Sequence, residues 1–320
     1  MALSIKCWSF RKRNSRTTYK NTKRRFKRNG VLLYNHRRSF QTILFIQDCP
    51  FIMTASKLTE LVPAPLGLIL DMDGVLWREN SPIGSLPDVF QRIRSMGLKA
   101  IMATNNSTKS VEQYQRRLED FGVRVEPWQI VTSSHAVAEM LTRKFQDRGE
   151  IFVIGEDGVK VALQEKGFTI VQAGETQNAA AVVVGIDREI NFQKFKEATL
   201  LIRRGLPFYG TNGDLTFPTP EGLIPGAGSF LALITAATGV NPTIAGKPAP
   251  FLLEFALDRL GTPRERTLVV GDRLETDIAG GQAIGCPSAL VLSGVSTAEM
   301  GNAWEPKVDL IAPDLISLLA

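Results

Sequence analysis

The acids Asp71 and Asp73 stand two residues apart in the run Asp71-Met-Asp73-Gly-Val-Leu-Trp77, directly after the apolar stretch Leu66-Gly-Leu-Ile-Leu. A short apolar run of this kind reads as a buried strand, and in an open parallel sheet ligands bind beyond the carboxyl ends of the strands. Carboxylates at such an end can offer oxygen to a hard cation or move protons, and Gly74 lets the chain turn at once after them. Alone, Asp-x-Asp-Gly is equally well an acid that caps a following turn. Three further segments change that balance. The run Leu98–Ala103 ends in Thr104-Asn105-Asn106-Ser107, a hydroxyl with amides. Gly246-Lys247-Pro248 sets a lysine where a helix is expected to begin, with Pro248 suited to its first turn. Thr267-Leu-Val-Val-Gly271 ends in Asp272-Arg273-Leu-Glu-Thr276-Asp277, again acids at a strand end. A lone Lys is usually a solvated charge and a lone Thr usually a cap; it is their joint occurrence that converges the four segments on one site.

The elements that would carry these residues alternate between strand and helix from Leu66 onward, the pattern of a parallel sheet wrapped by helices. Leu66–Asp71, Leu98–Ala103, Thr267–Gly271 and Ser288–Leu292 read as strands covered on both faces. Val111, Tyr114, Leu118 and Phe121 recur at helical spacing, as do Val137, Met140, Leu141 and Phe145. The middle stretch repeats the alternation in miniature: strands at 151–154, 180–184 and 207–209, helices at 157–166 and 192–204. Its place between the chemically suggestive segments favours an inserted cap. The expectation is an α/β protein with a three-layer Rossmann-like core, residues 54–146 and 242–320, around an α/β cap, residues 147–241.

Taken in order, Asp71-x-Asp73-Gly, Thr104-Asn105-Asn106, Gly246-Lys247-Pro248 and Gly271-Asp272-Arg273-x-x-Thr276-Asp277 resemble the four motifs of the haloacid dehalogenase-like superfamily. Val183-Val-Gly-x-Asp187, Thr211-Asn-x-Asp214 and Pro225-Gly-Ala-Gly-Ser229 resemble its subfamily IIA, the large-cap branch of nitrophenyl, phosphoglycolate, pyridoxal phosphate and nucleotide phosphatases. The resemblance runs from about Leu66 to the C-terminus. It implies a phosphatase for small phosphate monoesters in which Asp71 is the nucleophile and becomes phosphorylated. Mg²⁺ would be held by Asp71, Asp272 and the backbone carbonyl of Asp73. Asp73 would protonate the leaving alcohol and then activate water, Lys247 would offset the charge on the phosphoryl group, and Thr104 and Asn105 would donate to its oxygens, with Asn106 beside them. Asp277 and Arg273 would orient the metal's surroundings. From the cap, Asp187, Asn212, Asp214 and Phe217 are candidates to reach the leaving group, against the plainer role of holding the cap together. Gly213 and Asn191 depart from the commoner pattern of the branch, so no one substrate carries over. A homodimer through the cap is what the resemblance allows.

Charge is uneven. The chain of 320 residues is formally +6, yet 13 of its 38 Lys and Arg and one of its 32 acids lie in residues 1–53, so that segment is +12 and the remainder −6. Arg-rich, acid-poor composition suits an organelle transit peptide or a nucleic-acid-binding arm. The polar run that follows Met53 favours a third reading, upstream sequence from a start codon set too early. No apolar run approaches the roughly 18 residues that span a bilayer. Of three cysteines only Cys286 lies beyond the basic segment, which excludes a disulfide framework there and makes the reducing cytoplasm the default compartment, or an organelle if the segment is a transit peptide.

Other motifs read as decoys. Gly226-Ala-Gly228 lacks the third glycine of a dinucleotide loop, and Gly246-Lys247 lacks the upstream Gly and the Ser or Thr of a nucleotide-binding loop. His135, Cys286, Trp77 and Trp128 read as packing residues. Two rival functions stand beside hydrolysis: a mutase or phosphotransferase with the same intermediate, and a nucleic-acid-binding protein that uses the basic arm. Four chemical motifs in one chain argue against the second.

Overall fold

The computed structural model describes residues 57–219 and 221–320, and the expectations for residues 1–53 lie outside them. The strands are β1 (Gly67–Leu70), β2 (Trp77–Arg78), β3 (Ser81–Pro82), β4 (Lys99–Thr104), β5 (Ile130–Thr132), β6 (Gly149–Ile154), β7 (Phe168–Val171), β8 (Ala179–Val184), β9 (Phe208–Gly210), β10 (Thr216–Thr219), β11 (Gly222–Pro225), β12 (Thr243–Ile244), β13 (Thr267–Gly271), β14 (Ser288–Val291) and β15 (Leu310–Ala312). Two parallel sheets result, one of six strands ordered β15-β14-β13-β1-β4-β5 and one of five ordered β12-β9-β8-β6-β7. The second sheet ends at Ile244, past the cap boundary expected at 241.

Alternation along each strand decides what each face meets. Leu68, Leu70, Met102 and Val270 turn to one side of the large sheet, against the helices Leu86–Ser95 and Val111–Asp120. Ile69, Ile101, Val131 and Val269 turn to the other, against Ser133–Lys144 and Phe251–Leu260. These side chains are 2% exposed or less, and each such burial contributes roughly 1.5–3 kcal/mol. Ile151, Val153, Ala181 and Val183 of the small sheet join that second cluster, so the two sheets share apolar packing. Its far face, with Phe152, Ile154, Val182 and Val184, packs on Phe192–Arg203 and Ala227–Thr238.

Chain order in the large sheet runs outward from β1 through β4 and β5 on one side and from β13 through β14 and β15 on the other. The strands next to β1 therefore send their connections in opposite directions and leave a crevice at their carboxyl ends, the position where open α/β sheets bind ligands. Asp71 directly follows β1, Thr104 ends β4 and Asp272 directly follows β13. The helix expected at Lys247 begins later, at Phe251. Lys247 and Pro248 sit in a turn instead, because both backbone polar groups of Lys247 are bonded to the Asn105 side chain.

Candidate active site

The Lys247 ammonium is the hub. Its Nζ donates to Asp71 Oδ1 at 2.6 Å, to Asp277 Oδ1 at 2.5 Å and to the Ala103 carbonyl at 3.0 Å, which uses all three of its protons. The Lys247 side chain is 3% exposed. Burial alone would drive it toward neutrality; the charges of Asp277 and Asp71 overcome this and push its pKa above that of an ordinary lysine. Gly246 lets this loop approach, since a Cβ there would lie 2.6 Å from the Thr211 carbonyl.

Asp71, Asp272 and Asp277 each bring one carboxylate oxygen within 4.8 Å of the others. Three acids about one lysine leave excess negative charge in a buried place. The Asp71 carboxyl is accordingly raised well above the usual carboxylate range, by burial first, against the pull of Lys247 and with the push of Asp277 and Asp272. Asp272 is pushed up to about 6 by burial and by Asp277. Such a set of hard oxygen donors with unbalanced charge fits a divalent cation of the Mg²⁺ type. Asp277 is the least free of the three, because Oδ1 takes Lys247 and Oδ2 accepts the backbone N–H of Arg273 at 3.1 Å. A π-helical turn over Leu274–Ile278 brings Asp277 back beneath Gly271.

The loop after β14 was not singled out by sequence. Val295 N–H donates to Asp272 Oδ2 at 2.7 Å and Ser293 Oγ to the Gly74 carbonyl at 2.7 Å, so the loop braces Asp272 and the Asp73-Gly74 turn together. Gly74 has φ +86°, and a Cβ there would meet the Asp272 carboxylate. Leu292-Ser293-Gly294 at the end of an apolar run was the available signal.

Asn105 is expected to donate to a bound anion, yet its side-chain amide is engaged otherwise. Nδ2 donates to the Lys247 carbonyl at 2.9 Å and to Asp214 Oδ2 at 3.1 Å, while Oδ1 accepts from Lys247 N–H at 2.8 Å. Asn212 Nδ2 donates to the Asn105 carbonyl at 2.8 Å, and Asn212 Oδ1 accepts from Asp214 N–H. Asn212 and Asp214 thereby tie the segment after β9 to the loop that holds Lys247, and burial raises the Asp214 pKa. Asn106 Oδ1 accepts from Thr108 N–H and Oγ1, and Thr104 Oγ1 accepts from Asn106 N–H.

Above these residues opens a cavity of about 960 Å³ that reaches from the large sheet to the small one. Asp73, Thr104, Arg273, Asn212, Asp214 and Phe217 line it. So do Lys109, Arg117, Lys160 and Arg188, which were not anticipated; Arg188 lies over the Phe217 ring at 5.7 Å and pairs with Glu156 at 2.7 Å. Burial and neighbouring Arg117 lower the Lys109 pKa. Asp187 is 4% exposed and pairs with Lys194 at 2.8 Å, and Asn191 caps the helix Phe192–Arg203, so both hold the small domain together. His135 is a packed residue whose pKa burial pushes down to about 4.

The chain matches two family models, a haloacid dehalogenase-like hydrolase over residues 68–169 and a related hydrolase model over residues 244–318. It is 37% identical over 233 residues to the 5′-nucleotidase YutF of Bacillus subtilis, covering 73% of this chain and 89% of that protein. It is 33% identical to the chloroplastic phosphoglycolate phosphatase 1A of Arabidopsis thaliana, covering 82% of each. Among solved structures, the p-nitrophenyl phosphatase of Archaeoglobus fulgidus superposes with TM-score 0.75 at 33% identity over 80% of this chain and 98% of that one. A glycerol phosphate phosphatase of Mycobacterium tuberculosis in complex with magnesium gives 0.74 at 33% identity, over 79% and 76%. The chain belongs to the haloacid dehalogenase-like hydrolases, in the subfamily IIA branch of phosphoric monoester phosphatases.

Proposed function

We propose that this protein hydrolyses small phosphorylated metabolites with Mg²⁺, through an aspartyl phosphate on Asp71. The observation that carries this reading is the contact of Lys247 with both Asp71 and Asp277 beside Asp272, at the floor of the cavity. Mg²⁺, held by the Asp71 and Asp272 carboxylates and the Asp73 carbonyl, would supply positive charge that offsets repulsion between a carboxylate and a phosphate. Asp71 then attacks phosphorus while Asp73 gives its proton to the departing oxygen. Asp73, now a base, takes a proton from the water that attacks the phosphoenzyme, which releases phosphate and frees Asp71. Lys247 keeps Asp71 aimed and offsets charge throughout. Thr104 is the hydroxyl for the phosphoryl oxygens. Asn105 serves chiefly by fixing Lys247, and the side-chain NH2 of Asn106 is the amide donor offered to the phosphate. Arg273 and Asp277 position the metal site.

The small domain, which begins near residue 147 and whose sheet ends at Ile244, is the cap in this reading, and it selects the leaving group through Phe217 and the cations around it. The names of the relatives favour nucleotides, phosphoglycolate, sugar phosphates and glycerol phosphate. The cytoplasm is the proposed compartment, or an organelle should residues 1–53 act as a transit peptide; among the described residues no helix is long and apolar enough to cross a membrane.

The test is phosphate release from a panel of these esters by the protein starting at Met53, with and without Mg²⁺. Mg²⁺-dependent turnover is expected, and Asp71→Asn is expected to lower it by about 10³-fold or more. Hydrolysis that persists in the variant would remove Asp71 as nucleophile.

A further inference from the structure

Trp77 is wholly buried, yet its one polar atom is aimed at the cavity. The indole Nε1–H donates to Oδ1 of Asp73 at 2.9 Å. A tight turn makes the contact: Gly74 N–H donates to the Trp77 carbonyl at 2.7 Å, and the N–H groups of Leu76 and Trp77 both donate to the Met72 carbonyl, at 2.8 and 3.3 Å. The ring is held in place from its sides. Tyr114 stacks on it with centroids 6.3 Å apart and planes 14° from parallel, Phe121 lies 6.1 Å away, and the Arg117 guanidinium sits 4.4 Å from its centroid. Volume alone would be served by any large apolar side chain. Indole adds a single donor with no acceptor, and that donor meets the carboxylate.

The bond acts on the geometry of Asp73, whose side chain is otherwise exposed to the cavity. Oδ1 is tethered to the indole, while Oδ2 accepts no hydrogen bond among the described residues, on a side chain that lines the cavity. We infer that Trp77 is a positioning residue for proton transfer, fixing Oδ1 so that Oδ2 alone exchanges protons with the reacting oxygens. The inference rests on the role given to Asp73 above. In the first step the bond from phosphorus to the leaving oxygen breaks, its electron pair stays on that oxygen, and the proton on Oδ2 moves to it. In the second, a water proton returns to Oδ2 as the water oxygen bonds to phosphorus and the bond to Asp71 breaks.

The dependence on Trp77 then follows the leaving group. Nitrophenolate departs without a proton, whereas an alkoxide needs one, and a merely structural role would affect both alike. The experiment compares kcat/KM, which reports the first step, for 4-nitrophenyl phosphate and for the alkyl phosphate most rapidly hydrolysed in the panel above, with wild type and Trp77→Phe at saturating Mg²⁺. Phe keeps an aromatic ring and deletes the donor. The alkyl ester is expected to lose about tenfold or more and the nitrophenyl ester less than about twofold. Should the Phe variant fold poorly, 3-benzothienylalanine at position 77 keeps the outline of indole with sulfur in place of N–H, and the same split is expected. Equal losses on both esters, or no loss on either, overturn the inference while leaving Asp73 in its role. A wild type inactive on every ester overturns the phosphatase reading itself, and this inference with it.

Discussion

The floor of the cavity and its wall on the cap side handle charge in opposite ways. At the floor, Lys247, Asp71 and Asp277 have side chains 3%, 11% and 2% exposed, with contacts of 2.5–2.6 Å. On the wall, Arg188 is 52% exposed and shares its charge with Glu156 and the face of Phe217. Taking a charge out of water costs several kcal/mol, so a buried group must be matched in a fixed geometry, whereas an exposed one can exchange partners with little loss. The floor therefore suits chemistry that is the same for every ester. The wall suits recognition of leaving groups that differ.

The largest effect is expected of Lys247→Met. It leaves Asp71 and Asp277 buried without their shared cation, and both activity and stability are expected to fall, the latter by about 3–5 kcal/mol in urea unfolding without Mg²⁺. A variant as stable as the wild type would mean that the floor is not held by charge. A smaller effect concerns pH. Metal binds the ionised carboxylate, and the metal-free Asp272 pKa is about 6, so Mg²⁺ affinity is expected to weaken as pH falls below that value, by up to about tenfold per unit. The sign for stability follows: Asp272 in the metal-free protein binds more protons folded than unfolded between its ordinary pKa and about 6, so it contributes less stability as pH rises through that window. Bound Mg²⁺ would reverse this, and the rise in melting temperature on adding Mg²⁺ is expected to be larger at pH 7 than at pH 5. An Mg²⁺ shift that is flat with pH would contradict the assignment. The smallest change is expected on the wall: Arg188→Ala should alter KM a few-fold for some esters, leave kcat for 4-nitrophenyl phosphate nearly intact, and change stability by less than about 1 kcal/mol.

The strands of the large sheet were legible because a strand covered on both faces must be a continuous apolar run, and Leu68–Leu70 and Leu268–Val270 are such runs. The acids at their ends were legible because a parallel sheet gives strand ends one meaning. Lys247 was found for its neighbours in sequence, but the helix expected after it was displaced, since nothing local reveals that Asn105, far away in the chain, holds its backbone. Asp187 was ambiguous for the same reason. Whether it touches a ligand or holds the cap together depends on Lys194 and on the orientation of the segment after β8.

The sequence by itself determined the alternation of strands and helices, the two acids after the first strand and the order of the four segments that carry the chemistry, because these depend on residue type and local spacing. Only the tertiary structure decided that Asn105 clasps Lys247, that the loop after β14 braces Asp272, and that Trp77 points its N–H at Asp73. Each of these is a directional contact, and apart from the Trp77 bond they join residues distant in the chain. A hydrogen bond is fixed by angles and distances that packing sets, and side-chain identity specifies only that a donor or an acceptor is present.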